Sequence, residues 1–206
     1  MKTNLLVIAF LSLFFTLSAQ DQAKKISENH LKKYPIEKGS VTYTITGDAT
    51  GDAFRTFDDF GIRDRFISNV EINKYGTVDR TNTTVLSLGD YSYSVKNDDL
   101  KGKKLKDSRL MDLLKYKSPR ESIDAVMIAD GGTKAGTKVI LDKKCTKWVF
   151  DTGITTEIYE WNGLVLKIVK ELPGIKYQIV AKELTENPEI SDDFFKVSAK
   201  VKFTEY

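Results

Sequence analysis

The sequence predicts a mainly β (α+β) protein built on one strongly curved antiparallel sheet, a half-barrel, with a short helical insert in its concave face. Two observations predict the sheet: apolar and polar residues alternate in two separate blocks, and tight-turn dipeptides separate the alternating runs. A third observation predicts the insert, because the stretch around residues 107–130 loses this alternation and shows helical spacing instead.

The first block of strands begins near residue 40. Val41, Tyr43 and Ile45 alternate with threonines, which is typical of a half-buried strand. Later in the block, Thr84, Leu86 and Leu88 share one face, and Gly89-Asp90 predicts a hairpin into a return strand that carries Tyr91, Tyr93 and Val95.

The middle of the chain carries helix signals. Asp107-Ser108 is an acceptable helix start before Leu110, Leu113 and Leu114, and Pro119 ends that pattern. Ser118 or Ser122 then opens a second helix whose apolar residues are Ile123, Val126 and Met127, and Asp130-Gly131-Gly132 closes it.

The second block again alternates with period two. We expect Val139, Leu141 and Cys145 on one face and Ile140, Trp148 and Phe150 on the other. Asn162-Gly163 is the strongest two-residue hairpin signal in the chain, and Pro173-Gly174 predicts the next turn. Together the two blocks predict eight to ten short antiparallel strands.

The first residues have the composition of a secretory signal peptide. One lysine precedes an apolar run from Leu5 to Leu17, and small residues lead to the charged segment that opens at Asp21. The run is too short to span a bilayer, which takes ~20 apolar residues. We therefore expect a signal peptide at 1–20, cleaved near Ala19–Asp21, a lead-in segment at 21–37 and one domain at 38–206. The mature protein is expected in the periplasm or secreted, soluble and not membrane-spanning.

Composition narrows the function classes. Lys+Arg number 32 against 29 Asp+Glu, a near balance that does not predict a nucleic-acid partner. The lone cysteine, Cys145, cannot form an internal disulfide and is expected to be a small buried hydrophobe. His30 is the only histidine, so neither a zinc site nor a nucleophile–histidine site is predicted. We expect no cofactor, no metal and no catalytic residues.

The second half of the chain resembles a known family. The segment Gly136–Trp148, the turn at Trp161–Lys167 and the closing run Asn187–Val197 are similar to segments of exported outer-membrane lipoprotein carriers, the LolA/LolB-like superfamily. The resemblance covers residues 38–203 and is strongest after residue 136. It implies an incomplete barrel with helices in its concavity, and an activity of carrying or sensing a hydrophobic or acylated ligand without catalysis.

These observations lead to one functional prediction and one alternative. The first is a non-catalytic protein of the cell envelope that binds a lipid-like ligand or an acylated partner in the concave face of the sheet. The alternative is an envelope protein–protein interaction module with a fully packed core and no ligand. The residues predicted to line the cavity are core-facing or aromatic: Tyr43, Phe66, Leu86, Tyr93, Trp148, Tyr159 and Leu166.

Overall fold

The part of the chain that the structure describes forms one open sheet of twelve strands. The computed structural model describes residues 32–74, 77–89, 91–106, 118–151 and 154–205. The expected signal peptide, His30 and the leucines of the first expected helix lie outside these residues. The strands run in chain order as follows: β1 Gly39–Gly47, β2 Ala49–Asp58, β3 Arg63–Lys74, β4 Thr77–Leu88, β5 Tyr91–Lys96, β6 Lys101–Lys106, β7 Gly132–Ile140, β8 Lys143–Asp151, β9 Thr155–Trp161, β10 Leu164–Leu172, β11 Ile175–Glu186 and β12 Lys202–Glu205.

The topology consists of two antiparallel meanders joined through β1. The spatial order is β12-β6-β5-β4-β3-β2-β1-β11-β10-β9-β8-β7, so the first block of strands forms one half of the sheet and the second block the other. Only β12 pairs in parallel, against β6. The predicted mainly β, curved antiparallel architecture is confirmed, with more strands than the eight to ten expected.

One face of the sheet holds the main hydrophobic cluster, and we call it the concave face. Val41, Tyr43 and Ile45 point to this face from β1, where each is at most 5% exposed. The hydroxyl of Tyr43 donates a hydrogen bond to the carbonyl oxygen of Val165 on β10, at 2.9 Å. Since β11 lies between β1 and β10, this bond spans the inside of the curl.

Helix α1, Pro119–Ala129, packs on the concave side of the second block. Ser118 caps it as the sequence predicted, since its hydroxyl accepts from the backbone N–H of Glu121. Two residues of the helix, Ile123 and Met127, are buried. The helix therefore covers part of the concave face, as the sequence indicated for the second of its two helices.

Two hairpin turns show how well turn chemistry could be anticipated. Asn162 and Gly163 have φ values of 46° and 94°, which match the predicted two-residue turn between β9 and β10. The turn between β7 and β8 was not predicted. It is made by Leu141 and Asp142, whose φ values are 49° and 58°. Leucine is rarely left-handed, so no turn residue marked this position.

This turn corrects the predicted faces around it. Val139 is 64% exposed on edge strand β7, whereas Ile140 is 9% exposed. Leu141 belongs to the turn and not to a continuous face with Val139 and Cys145. Cys145 itself is fully buried, as expected.

The C-terminal segment covers part of the opposite, convex face. A short 3₁₀ helix at Asp192–Phe195 lies against β3, where Arg63 bonds Asp192 at 2.7 Å and stacks on the ring of Phe195. Arg65 donates to the carbonyl oxygen of Phe194. The segment then ends as β12, whose Phe203 meets the ring of Tyr93 edge-on.

Candidate functional site

Two of the predicted lining residues meet at a small cavity on the concave face. The rings of Tyr43 and Phe66 lie edge to face with centroids 5.9 Å apart. They border a cavity of about 10 Å³, together with Arg55, Val165, Lys167, Ile168 and Ile179. This volume is close to the room for one water molecule. The hollow is therefore nearly closed at this point.

A buried ion pair adjoins this cavity. Arg55 on β2 is 4% exposed and Asp64 on β3 is 6% exposed. Their closest atoms, Nε and Oδ1, are 3.4 Å apart, and neither atom makes a hydrogen bond with good geometry. Tyr34 donates its hydroxyl proton to the other carboxylate oxygen of Asp64 at 2.7 Å. The guanidinium also lies 5.1 Å from the ring centroid of Phe66.

The local charges perturb the groups of this cluster. Burial raises the pKa of Tyr43 to about 12, against an opposing effect of Arg55. Burial alone would lower the pKa of Arg55, but Asp64, Tyr34 and Tyr43 raise it above its usual value. Arg55 is thus a permanent cation in an aromatic surrounding, balanced by one carboxylate.

Small hydroxyl side chains continue the concave face away from this cluster. Phe66 is opposite Val85, and Asp64 is opposite Ser87, which in turn is opposite Ser92. Ser68, Thr83, Ser87 and Ser92 are all at most 4% exposed. Because such short side chains fill little of the ~10 Å between packed layers, this half of the concave face needs a covering layer to supply most of the volume.

A second polar cluster fastens helix α1 to the sheet. Glu160 on β9 is fully buried, and its Oε1 accepts from Trp148 Nε1 at 3.0 Å and from Arg120 of the helix at 2.8 Å. Its Oε2 accepts from the backbone N–H of Gly163 at 2.8 Å. Both oxygens of the carboxylate accept hydrogen bonds, so we interpret this cluster as structural support that holds helix α1 on the sheet.

The structure separates the seven predicted lining residues into two groups. Tyr43, Phe66 and Trp148 point to the concave face, and Leu166 is fully buried in the main cluster. By strand parity Leu86, Tyr93 and Tyr159 point to the opposite face, although Tyr159, at 7% exposed, also packs against the main cluster. The pairing of Phe66 with Val85 turns Leu86, and its partner Tyr93, to the convex face.

Strand pairing also places Tyr159 on the convex face. Trp148 is opposite Ile158, so Tyr159 faces the other way, between Lys147 and Lys167. The amino groups of both lysines lie 5.7 Å from its ring centroid. The alternation identified residues that share a face within one strand. It did not identify which face of the neighbouring strand lies on the same side of the sheet.

Sequence reasoning missed the charged members of both clusters. Arg55 occupies the same strand phase as Ala53 and Phe57, and Glu160 the same phase as Ile158. A charged residue at an apolar phase of a strand is the signal that could have identified them, because buried charges need partners.

Two further findings concern metal ligands and the thiol of Cys145. Within them, no group of three or more His, Cys, Asp or Glu side chains is placed to hold a metal ion. Cys145 is buried, and burial raises the pKa of its thiol to about 11. A thiol protonated at neutral pH is a weak nucleophile.

Comparison with known proteins identifies similar folds only. No protein-family model and no curated protein matches the chain. An uncharacterized conserved protein from Thermus thermophilus is similar with a TM-score of 0.48 and 9% identity, over 90% of this chain and 100% of that one.

Two further solved structures are similar. The complex of MucA and MucB from Pseudomonas aeruginosa gives a TM-score of 0.44 and 13% identity. The match covers 88% of this chain and 62% of the chain in that structure. A putative outer membrane lipoprotein-sorting protein domain from Vibrio parahaemolyticus gives 0.34 and 8% identity over 83% of this chain and 94% of that one. All three TM-scores are modest, so residue roles follow from this chain's own geometry.

The structure also bears on membrane insertion. Among the residues that it describes, no helix combines the length and the apolar character needed to cross a bilayer.

Proposed function

We propose that this chain is a non-catalytic, exported protein of the cell envelope that binds a lipid-like ligand or an acylated partner on the concave face of its sheet. The observation that carries the proposal is the buried Arg55 cluster beside a concave surface of apolar and small hydroxyl side chains. Binding sites for amphiphiles combine an apolar surface with few convergent polar groups, and this surface has that composition.

Different residues of this surface would contact the acyl chain and the polar end of such a ligand. Phe66 and Val85 supply apolar contact for an acyl chain, and the short side chains of Ser87 and Ser92, both buried, give it room once the layer that covers them is displaced. Arg55 supplies hydrogen-bond donors for an ester, amide or acid oxygen at the chain's polar end. Because the cavity at Tyr43 is only about 10 Å³, a ligand enters by displacing what covers the surface.

One observation favours a second candidate function. The hollow at Tyr43 is almost filled, and the bond from Tyr43 to Val165 closes it across the sheet. A fully packed core suits an envelope module that binds another protein by its outer surface and takes no ligand.

A dye-binding experiment separates the two candidates. We expect an environment-sensitive hydrophobic dye to brighten on the folded protein, and a Ser94→Phe variant, which fills the concave side of β5, to abolish the signal. Thr44→Phe is the matched control, since Thr44 is half-buried on the convex side of β1. Cooperative unfolding of each variant, followed by circular dichroism, shows that the fold is kept. A folded protein that leaves the dye dark refutes ligand binding and favours the packed module.

A further inference from the structure

A row of amide and carboxylate side chains crosses four strands on the convex face, far from the concave surface. Asp52 on β2 is opposite Asn69 on β3, which is opposite Asn82 on β4. Asn97, directly after β5, donates its backbone N–H to the carbonyl of Asn82 at 3.0 Å and continues the row. We call these four residues the amide row.

The amide row contradicts the usual preferences of strands. Asparagine and aspartate are depleted in strand interiors because their side chains compete with the backbone for hydrogen bonds. When several neighbouring residues depart from the usual residue preferences of a strand, a functional role is a common reason. Here three residues of the row, Asp52, Asn69 and Asn82, line a groove of about 380 Å³, and Asn97 adjoins it through its bond to Asn82.

Among the described residues, the hydrogen bonds of the row leave the side-chain acceptors of Asn69 and Asn97 and the side-chain donor of Asn82 unused. Asn69 directs its Nδ2 at both oxygens of Asp52, 3.3 Å away, and Asn82 accepts from Asn97 through Oδ1. With the amide orientations that these bonds assign, Asn69 Oδ1 and Asn82 Nδ2 have no partner among the described residues. An acceptor and a donor on neighbouring strands complement the N–H and C=O of a peptide backbone.

The groove is negatively charged on a chain whose formal net charge is +3. Its lining includes the carboxylates of Asp52, Glu71 and Asp98 and one guanidinium, that of Arg80, which gives a formal charge of −2. Arg80 is already paired with Glu71 at 2.7 Å. Within the described part of the chain, Asp52 and Asp98 have no ion-pair partner, and both are exposed.

We propose that this groove binds an extended, lysine- or arginine-bearing segment of a partner protein. The amides of Asn69 and Asn82 bind the backbone of that segment, and Asp52 and Asp98 bind its cationic side chains. The row crosses four strands spaced ~4.8 Å apart, so it spans about 14 Å, or about four extended residues. This site is independent of the concave face, and its failure leaves the proposed function untouched.

The test uses the purified protein and a short, capped peptide of alternating lysine and serine. We expect weak binding by calorimetry, an affinity that falls as salt is raised, and amide chemical-shift changes confined to β2, β3, β4 and the turn at Asn97. The Asp52→Asn, Asp98→Asn double variant should bind about tenfold more weakly, because each exposed charge pair contributes a few-fold in affinity. The control double variant Asp142→Asn, Glu183→Gln removes two exposed carboxylates elsewhere and should bind as the parent does.

A second variant separates backbone recognition from simple attraction between charges. Asn69→Ala removes the free acceptor without changing the net charge, so its loss of affinity should persist at high salt. Equal binding by the parent and the Asp52/Asp98 variant overturns the proposal. Equal loss in the control variant, or shift changes outside the groove, does so too. Binding of a neutral oligosaccharide such as chitotriose in the groove, with none of the peptide, assigns the groove to a sugar and also overturns it.

Discussion

Replacement of Glu160 by glutamine should strongly destabilise the protein although the two side chains have nearly the same shape. Both oxygens of Glu160 are acceptors: Oε1 serves Trp148 and Arg120, and Oε2 serves Gly163 and Arg120. A glutamine has one oxygen, so its NH₂ group must face either the indole N–H of Trp148 or the backbone N–H of Gly163.

The magnitude follows from the two losses. One buried N–H loses its acceptor, which costs about 1–3 kcal/mol, and Arg120 loses one of its two charged partners while it keeps Asp124. Removal of one partner from a buried ion pair costs about 3–5 kcal/mol, and here Arg120 is partly exposed, which reduces the penalty. We therefore expect Glu160→Gln to lower the free energy of unfolding by about 3 kcal/mol.

Urea denaturation followed by tryptophan fluorescence measures this change. Glu157→Gln on the same strand is the control, since Glu157 pairs with Lys147 at a partly exposed position and should cost about 0.5 kcal/mol. An Arg120→Met background should reduce the effect of Glu160→Gln, because the two residues share one network. A loss below 1 kcal/mol for Glu160→Gln would refute the assigned role of the carboxylate.

Three further predictions concern single groups. Tyr43→Phe should cost about 1 kcal/mol in urea denaturation, through loss of the bond to Val165; an unchanged midpoint contradicts that bond. Burial lowers the pKa of Lys170 from 10.5 to about 8, so the unfolded chain binds more protons between these values and the folded state gains stability as pH rises. This gain, about 3 kcal/mol by pH 10.5, should be absent from Lys170→Met in parallel pH titrations of stability. Cys145, with its thiol pKa raised to about 11, should resist a thiol reagent at pH 8 until denaturant is added; rapid labelling of the folded protein is the contrary result.

Local signals in the sequence were sufficient for the turns and elements that a few residues determine. Asn162-Gly163 specified its hairpin because both residues tolerate left-handed backbone. For helix α1 the sequence offered Ser118 or Ser122 as the start, and Ser118 is the residue that caps it. The turn at Leu141-Asp142 had no such signal. It forms because β7 and β8 pair on either side of it, and this pairing holds Leu141 in a left-handed backbone that leucine rarely adopts, whereas Asp142 tolerates it.

The candidate site was less predictable than the fold, because the sequence does not show which of the two faces of a strand is the concave one. The side-chain period of two places Leu86 and Tyr93 on one face together, yet which face is concave depends on pairing across the β3–β4 hairpin. Tyr43 and Phe66 both occupy the phase of the main cluster, and their role in lining a ligand site stays a prediction. Arg55 and Asp64 were overlooked because each looks like a solvent-facing charge until β2 and β3 are paired.

Photo-crosslinking provides the most direct test of ligand binding on the concave face. The purified protein is irradiated with a fatty acid that carries a diazirine on its chain, and the modified residues are identified by peptide mass spectrometry. The account predicts adducts on concave residues of the first block, such as Phe66, Val85 and Ser94, that excess unlabelled fatty acid suppresses. Adducts confined to convex residues such as Tyr93 and Tyr159, or adducts that no competitor suppresses, would contradict it.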